Sequence, residues 1–120
     1  MTNYATGHAA ERVAAEYLRA QGYDVVELNW KHKRAEIDII ARKKLGWRRY
    51  GPLTFFEVKH RKTDHHGRGL DYITPKKLQQ MRFASELYVT QKNYNGEYTL
   101  GAVELFGPDF LVTSCIDNII

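Results

Sequence analysis

The 120-residue chain has a single cysteine, three prolines and two methionines. One thiol excludes an intrachain disulfide and a cysteine-based zinc site, and fits a reducing compartment; a buried apolar role is the default for Cys115. No basic segment followed by an apolar run stands at Met1-Thr2-Asn3-Tyr4, so no secretory signal is expected, and no stretch approaches the length of a membrane span. Internal repeats and low-complexity tracts are also lacking. A cytoplasmic protein without membrane attachment is the resulting expectation. At 43% hydrophobic and 27% charged residues, the composition is that of one ordinary globular domain spanning 1–120. Acidic residues are the scarcer charge, 14 against 18 Lys and Arg, and the net charge of +4 favours an anionic partner such as nucleic acid.

The few acids fall in unusual places. Leu53-Thr54-Phe55-Phe56-Glu57-Val58-Lys59 reads as a buried strand whose end carries an acid and a base. Period-two alternation sends Glu57 and Lys59 to one face and Phe56 and Val58 to the other. Taken alone, such a pair is more often a surface couple where a strand meets solvent. Upstream, Glu36-Ile37-Asp38-Ile39-Ile40-Ala41 also alternates, with Ile37, Ile39 and Ala41 on one face and Glu36, Asp38 and Ile40 on the other. The connection from Arg42 to Pro52 contains Gly46, Gly51 and Pro52 and reads as a hairpin. It makes the strands antiparallel neighbours and can set Asp38 across from Glu57. Facing carboxylates repel, and a divalent cation would remove the repulsion.

The remaining chain supplies a scaffold. Gly7 to Gln21 is expected to be a helix stopped by Gly22, with Ala9, Ala10, Val13, Ala14, Tyr17 and Leu18 on its apolar stripe. Glu11 lies at the margin of that stripe, and its position alone favours a surface acid near the helix start. Tyr23 to Trp30 reads as a strand, followed by a basic connection, Lys31-His32-Lys33-Arg34, placed to hold phosphate or simply to be solvated. The Arg42–Tyr50 region interleaves five cations with Trp47 and Tyr50, which suits phosphate neutralisation and base stacking as well as it suits a hairpin packing on itself. From His60 to Gly69 the chain reads as a mobile polar loop. His60, Asp64, His65 and His66 lack the fixed geometry of a zinc site there, whereas Arg61, Lys62 and Arg68 could meet phosphate.

Thr74-Pro75 opens a second helix, with Leu78, Met81, Phe83, Ala84, Leu87 and Tyr88 apolar. Lys76 and Lys77 sit in its first turn, where the helix dipole disfavours cations; a carboxylate or a phosphate nearby would explain them, and plain solvent exposure would also tolerate them. Asn93-Tyr94-Asn95-Gly96 is a turn, Tyr98 to Phe106 a strand, Gly107-Pro108-Asp109 a turn, and Phe110 to Ser114 a last short strand. The order predicts an α/β domain with a mixed sheet flanked by helices.

Gly7 through Glu11, Tyr17-Leu18, Gly22-Tyr23, Asn29, Glu36 through Ala41, Phe56 through Arg61, Lys77 and Ala84 together resemble the YraN family of bacterial proteins. That resemblance implies the restriction-endonuclease-like fold of the PD-(D/E)xK superfamily, near the Holliday-junction resolvases. It implies that Asp38 and Glu57 coordinate Mg²⁺ or Mn²⁺ with the Val58 carbonyl, and that Lys59 orients a water or stabilises developing charge. Glu11 and Glu36 become additional site acids, and Lys77 a phosphate contact. Arg34, Arg48, Arg49, Arg61, Lys62 and Lys77 are the expected nucleic-acid-binding residues. The implied activity is metal-dependent phosphodiester hydrolysis in DNA, branched or single-stranded; the rival is a binding or interaction module on the same fold with little or no catalysis. Resolvase-like relatives often act as dimers, so the resemblance allows a homodimer, and Tyr98 to Phe106 could be an exposed edge. Three departures stand out: Ala35 replaces a glycine, the hairpin is long, and Gly101 stands where an aspartate is expected.

Overall fold

The stripe Ala10, Ala14, Ala15 and Leu18 is fully buried and lets the first helix lie close on a sheet. The structure, a computed structural model, describes the backbone of residues 3–62 and 72–119, and side chains from residue 8 onward within those ranges. The loop readings for Asp64, His65, His66 and Arg68 lie outside the described residues. In order the elements are α1 (Asn3–Ala20), β1 (Tyr23–His32), β2 (Ala35–Gly46), β3 (Arg49–Arg61), α2 (Pro75–Gln91), β4 (Tyr98–Phe106) and β5 (Leu111–Ile116). Gly22, at φ +94°, ends α1 by a conformation that other residues resist.

The five strands form one mixed sheet in the order β1-β2-β3-β4-β5. Only β3 and β4 are parallel, and α2 is the crossover that such a pair requires. The domain is therefore α/β with a mixed sheet between two helices, compatible with a restriction-endonuclease-like fold. On the α1 face, Ile39, Ala41, Phe56, Val103 and Leu105 meet the alanine stripe. On the α2 face, Trp30, Ile37, Ile40, Phe55 and Leu100 meet Met81, Ala84 and Tyr88. Among the described residues no helix is long and apolar enough to cross a membrane.

Several expectations change. The connection from Arg42 to Pro52 is mostly strand: β2 runs to Gly46 and β3 starts at Arg49, leaving Trp47 and Arg48 as the turn. Gly51 and Pro52 sit within β3 beside a register shift, where a missing ladder donor is tolerated. Strand β4 is interior, between β3 and β5, so Tyr98 to Phe106 is no edge; β1 and β5 are the edges. Phe83, expected on the apolar side of α2, is 62% exposed because α2 turns it away from the sheet. Ala35 opens β2 buried on the α2 face, and the left-handed residue of its turn is Lys33, so no glycine is needed at 35.

Candidate active site

The sheet changes face at one level. Leu28 pairs with Ile39 and both pack under α1, whereas Trp30 pairs with Ile37 and both pack under α2. Regular alternation would keep positions two apart on one face, and it does not across Asn29 or across Asp38. Ile37 thus does not share a face with Ile39 as expected. Asn29 makes the reversal in β1 through a left-handed φ of 52°, which asparagine accepts more readily than most residues.

Asp38 lies where β2 and β3 part. Their pairing reaches Ile39 and Phe56 and goes no further, while β3 stays paired with β4 to Arg61. The Val58 N–H donates instead to Asp38 Oδ2 at 2.8 Å. The side chain of Asp38 therefore fills the fork, with Glu57 next to Val58 on the opposing strand. Its carboxyl is pushed up to about 8, first by burial and then by the Glu57 carboxylate; the Val58 N–H opposes this, and Glu11 and Glu36 add to it.

Glu11 reaches the same place from α1. Its side chain is only 14% exposed, so the surface reading fails; packing of α1 over the fork buries it. Burial raises its pKa, against the opposing influence of Asn29 and His8. Glu11 Oε2 is buried without a hydrogen bond, and His8 Nδ1 is 4.0 Å away. From α2, Lys77 Nζ stands 3.0 Å from Glu57 Oε1. Thr74 caps that helix by accepting from the Lys77 N–H at 3.1 Å, which fixes the turn that carries Lys77. The carboxylate is thus the anion that the placement of Lys77 called for.

Lys59 is exposed and forms no ion pair with a described residue. An open cleft of about 520 Å³ runs from Glu57 along Arg34, Glu36, Lys76, Lys77, Gln79 and Phe83. Lys62 is exposed at the end of β3. Arg61, expected to meet phosphate, instead turns inward: its guanidinium pairs with the buried Glu104 and lies 5.5 Å from the Tyr72 ring. Arg48 and Arg49 are exposed but belong to the far end of the ribbon. Nine residues separate Asp38 from Trp47, which at about 3.4 Å per strand residue is roughly 30 Å. The tip of the hairpin is therefore remote from the carboxylates.

The sequence model of the uncharacterised protein family UPF0102 matches residues 10–110. The chain belongs to that family. UPF0102, the YraN family, is part of the restriction-endonuclease-like superfamily. A UPF0102 protein of Hahella chejuensis is 41% identical over 87 residues, which are 72% of this chain and 64% of that protein. One of Christiangramia forsetii is 39% identical over 85 residues, 71% of this chain and 66% of its own length. In both, the matched part is just under two thirds of the relative. A UPF0102 protein of Cytophaga hutchinsonii is 30% identical over 112 residues, 93% of this chain and 94% of its own. The UPF0102 match includes the positions of Glu11, Asp38, Glu57, Lys59 and Lys77.

The donor set suits a hard divalent cation. Two carboxylates and a carbonyl are oxygen ligands, and Mg²⁺ commonly keeps several waters while using one or two carboxylates. Glu11 Oε2, buried without a hydrogen bond among the described residues, and the raised Asp38 both mark a fork in which burial disfavours carboxylate charge, a cost that a cation would offset. Among the described residues no three His, Cys, Asp or Glu side chains stand close enough to hold an ion by themselves, so water or phosphate would complete the shell.

Two residues here escaped the residue-by-residue reading, His8 and the role of Asn29. Asparagine is depleted in strands, and its presence between Leu28 and Trp30 was the available signal. Asn29 Nδ2 lies 3.4 Å from His8 Nδ1, joining β1 to α1 beside Glu11. Asn29→Val is expected to cost about 2 kcal/mol in urea unfolding, because a β-branched residue resists positive φ; Asn29→Gly should cost less than half as much. Equal costs would refute the backbone argument.

Proposed function

We propose that this protein hydrolyses phosphodiester bonds in DNA, with branched or single-stranded DNA as substrate and a divalent cation at Asp38 and Glu57. The observation that carries this reading is the burial of Asp38 in the fork against Glu57 and Glu11, with Glu57 itself lining a cleft shared with Arg34, Lys76 and Lys77. Asp38 and Glu57, with the Val58 carbonyl, would hold Mg²⁺ or Mn²⁺. When bound, the cation would polarise the phosphoryl group and lower the pKa of a water.

The chain's own groups do the rest. The Val58 N–H fixes the Asp38 carboxylate, so its orientation does not depend on substrate. Lys77 counters Glu57 in the free protein and is near enough to turn to a phosphate oxygen once Glu57 has another partner. Lys59, on the strand face of Glu57 and exposed, meets charge developing on the phosphate or orients the attacking water. Arg34 and Lys76 position the backbone without reading sequence.

The test is cleavage of labelled single-stranded, duplex, flap and four-way-junction DNA with Mg²⁺, Mn²⁺ or chelator. Metal-dependent cleavage that falls at least about 100-fold in Glu57→Ala is expected. Cleavage unaffected by Glu57→Ala, or persisting in chelator, would overturn the assignment. A second reading, a nucleic-acid-binding module without hydrolysis, is favoured by the Lys77–Glu57 ion pair, which already neutralises one ligand. Under that reading, DNA binds but Mg²⁺ leaves the melting temperature unchanged.

A further inference from the structure

From Ile39 to Phe56 the chain has five cations and no acid, although acids make up 14 of its 120 residues. These eighteen positions form most of the β2–β3 ribbon, and among the described residues its outer part, 43–50, is exposed with no helix packed over it. Leu45 is 56% exposed and Trp47 83%. The self-packing explanation for these side chains therefore does not hold. Tyr50 is accounted for, because the Arg42 guanidinium lies 3.7 Å from its ring centroid and is itself held by Asp24 at 3.0 Å. Lys43 likewise lies over Tyr23. Trp47 is different: Arg48 sits 4.5 Å from its ring, yet most of the indole is open to water at the tip.

The turn itself is costly. Arg48 has φ +57°, a conformation that glycine or asparagine would take with little strain. A left-handed arginine beside an exposed tryptophan is a poor solution for stability. It is a good one for presenting a cation and a flat ring together, flanked by Lys44 and Arg49.

We infer that the β2–β3 hairpin is a nucleic-acid-binding arm, in which Trp47 stacks on an unpaired base while Lys44, Arg48 and Arg49 neutralise the adjoining phosphates. Charge complementarity chooses the partner: a ribbon whose outer eighteen residues hold no acid favours a polyanion, and an exposed ring among cations favours one with planar groups. Stacking requires an accessible base face, which a continuous duplex denies except at its ends. The arm therefore selects single-stranded or branched substrate. At about 30 Å from Asp38 it engages the substrate at a point separate from the carboxylates, about nine base pairs away along a duplex of 3.4 Å rise. This inference rests on the nucleic-acid part of the proposed function and not on hydrolysis.

The experiment measures binding of the full chain in chelator, so that no cleavage intervenes, to an oligo(dT) single strand, a splayed fork and a blunt duplex. Trp30 is buried and Trp47 exposed, so quenching of tryptophan emission on adding oligo(dT) reports the arm. Trp47→Ala is expected to abolish the quench and to weaken fork and single-strand binding by about 5-fold to 150-fold, with little change for the duplex. Arg48→Gly should lower affinity and flatten the salt dependence while holding or raising the melting temperature, which separates binding from folding. Unchanged affinity in both variants overturns the arm. So does a self-association of the wild type, seen by sedimentation, that Trp47→Ala abolishes without affecting DNA. Cleavage with normal Trp47→Ala binding sinks the arm alone; quenching and binding with no cleavage under any metal sink hydrolysis alone.

Discussion

Asp38→Asn is expected to make the metal-free protein more stable at pH 8, by on the order of 2 kcal/mol, while removing its stabilisation by Mg²⁺. The native carboxyl titrates near 8 because burial and the Glu57 carboxylate disfavour its charge, against an ordinary value of 3.8. Between those two values the folded state holds a proton that the unfolded state has lost. Stability from this group is therefore complete below about pH 4 and is lost as pH rises through 8. Asparagine has no charge to desolvate at any pH, and its Oδ1 can still accept from the Val58 N–H. The advantage of the variant should be near zero at pH 4, grow through pH 6, and reach its limit near pH 8. Urea unfolding of both proteins at four pH values measures it, and the difference between them reports Asp38 together with its coupling to Glu57. Mg²⁺ adds the second arm: the wild type should melt higher with the ion and the variant should not. An Asp38→Asn protein less stable than wild type at pH 8 would mean that the fork tolerates the charge by means other than a cation.

Part of this fork was legible in the sequence. An acid inside an apolar strand, and Glu-x-Lys on the next, could be read from two apolar runs joined by a hairpin; the end of the second could not, since β3 continues through His60 to Arg61, where a polar loop was expected. Strand β4 coincides with the expected Tyr98 to Phe106, because its apolar run is closed by turn residues at both ends. The face reversal at Asn29 and Asp38 could not be read, since alternation assumes an unbroken pleat and a left-handed asparagine breaks it. Nor could the burial of Glu11 be read, because it depends on where α1 settles over the fork. Gly46, Gly51 and Pro52 suggested a loose connection, but pairing across the ribbon kept these residues in strands. Arg61 was misread because its partner Glu104 lies 43 positions away on a parallel strand.

The free site is thus a region of deferred stability. Asp38, Glu57 and Glu11 crowd three carboxyl groups into a fork that an all-apolar packing would close more cheaply, and Lys77 offsets the charge of Glu57 from α2. Such local cost is common at functional sites. The strands on either side must then be held apart without being allowed to slide, and that task falls to the last pair before the fork, Ile39 and Phe56.

Gly101→Ala is expected to destabilise the protein by about 3 kcal/mol, and Gly101→Asp to leave it unfolded near 37 °C. A Cβ at this position would lie 2.7 Å from the Ile116 carbonyl oxygen and 2.7 Å from Cε1 of Phe56. Neither neighbour yields easily: the carbonyl belongs to β5, paired at Ala102, and the Phe56 ring is fully buried edge-on to Tyr23. Overpacking of this kind costs about 1–3 kcal/mol, and an aspartate adds an unpaired buried charge to a protein whose whole stability is about 5–15 kcal/mol. The aspartate expected at 101 would meet both the ring that closes the β2–β3 ladder and the Ile116 carbonyl. Because Phe56 directly precedes Glu57, displacing it should also shift the fork, so Gly101→Ala should weaken Mg²⁺ stabilisation as well as lower the melting temperature. Phe56→Leu combined with Gly101→Ala distinguishes the two clashes. If the ring is the main obstacle, the double variant should be at least about 1 kcal/mol more stable than the sum of the single effects allows. If the costs simply add, the obstacle is the Ile116 carbonyl, and β5 rather than Phe56 keeps position 101 a glycine. A Gly101→Ala protein within 0.5 kcal/mol of wild type, on the order of what an ordinary surface change gives, would overturn both.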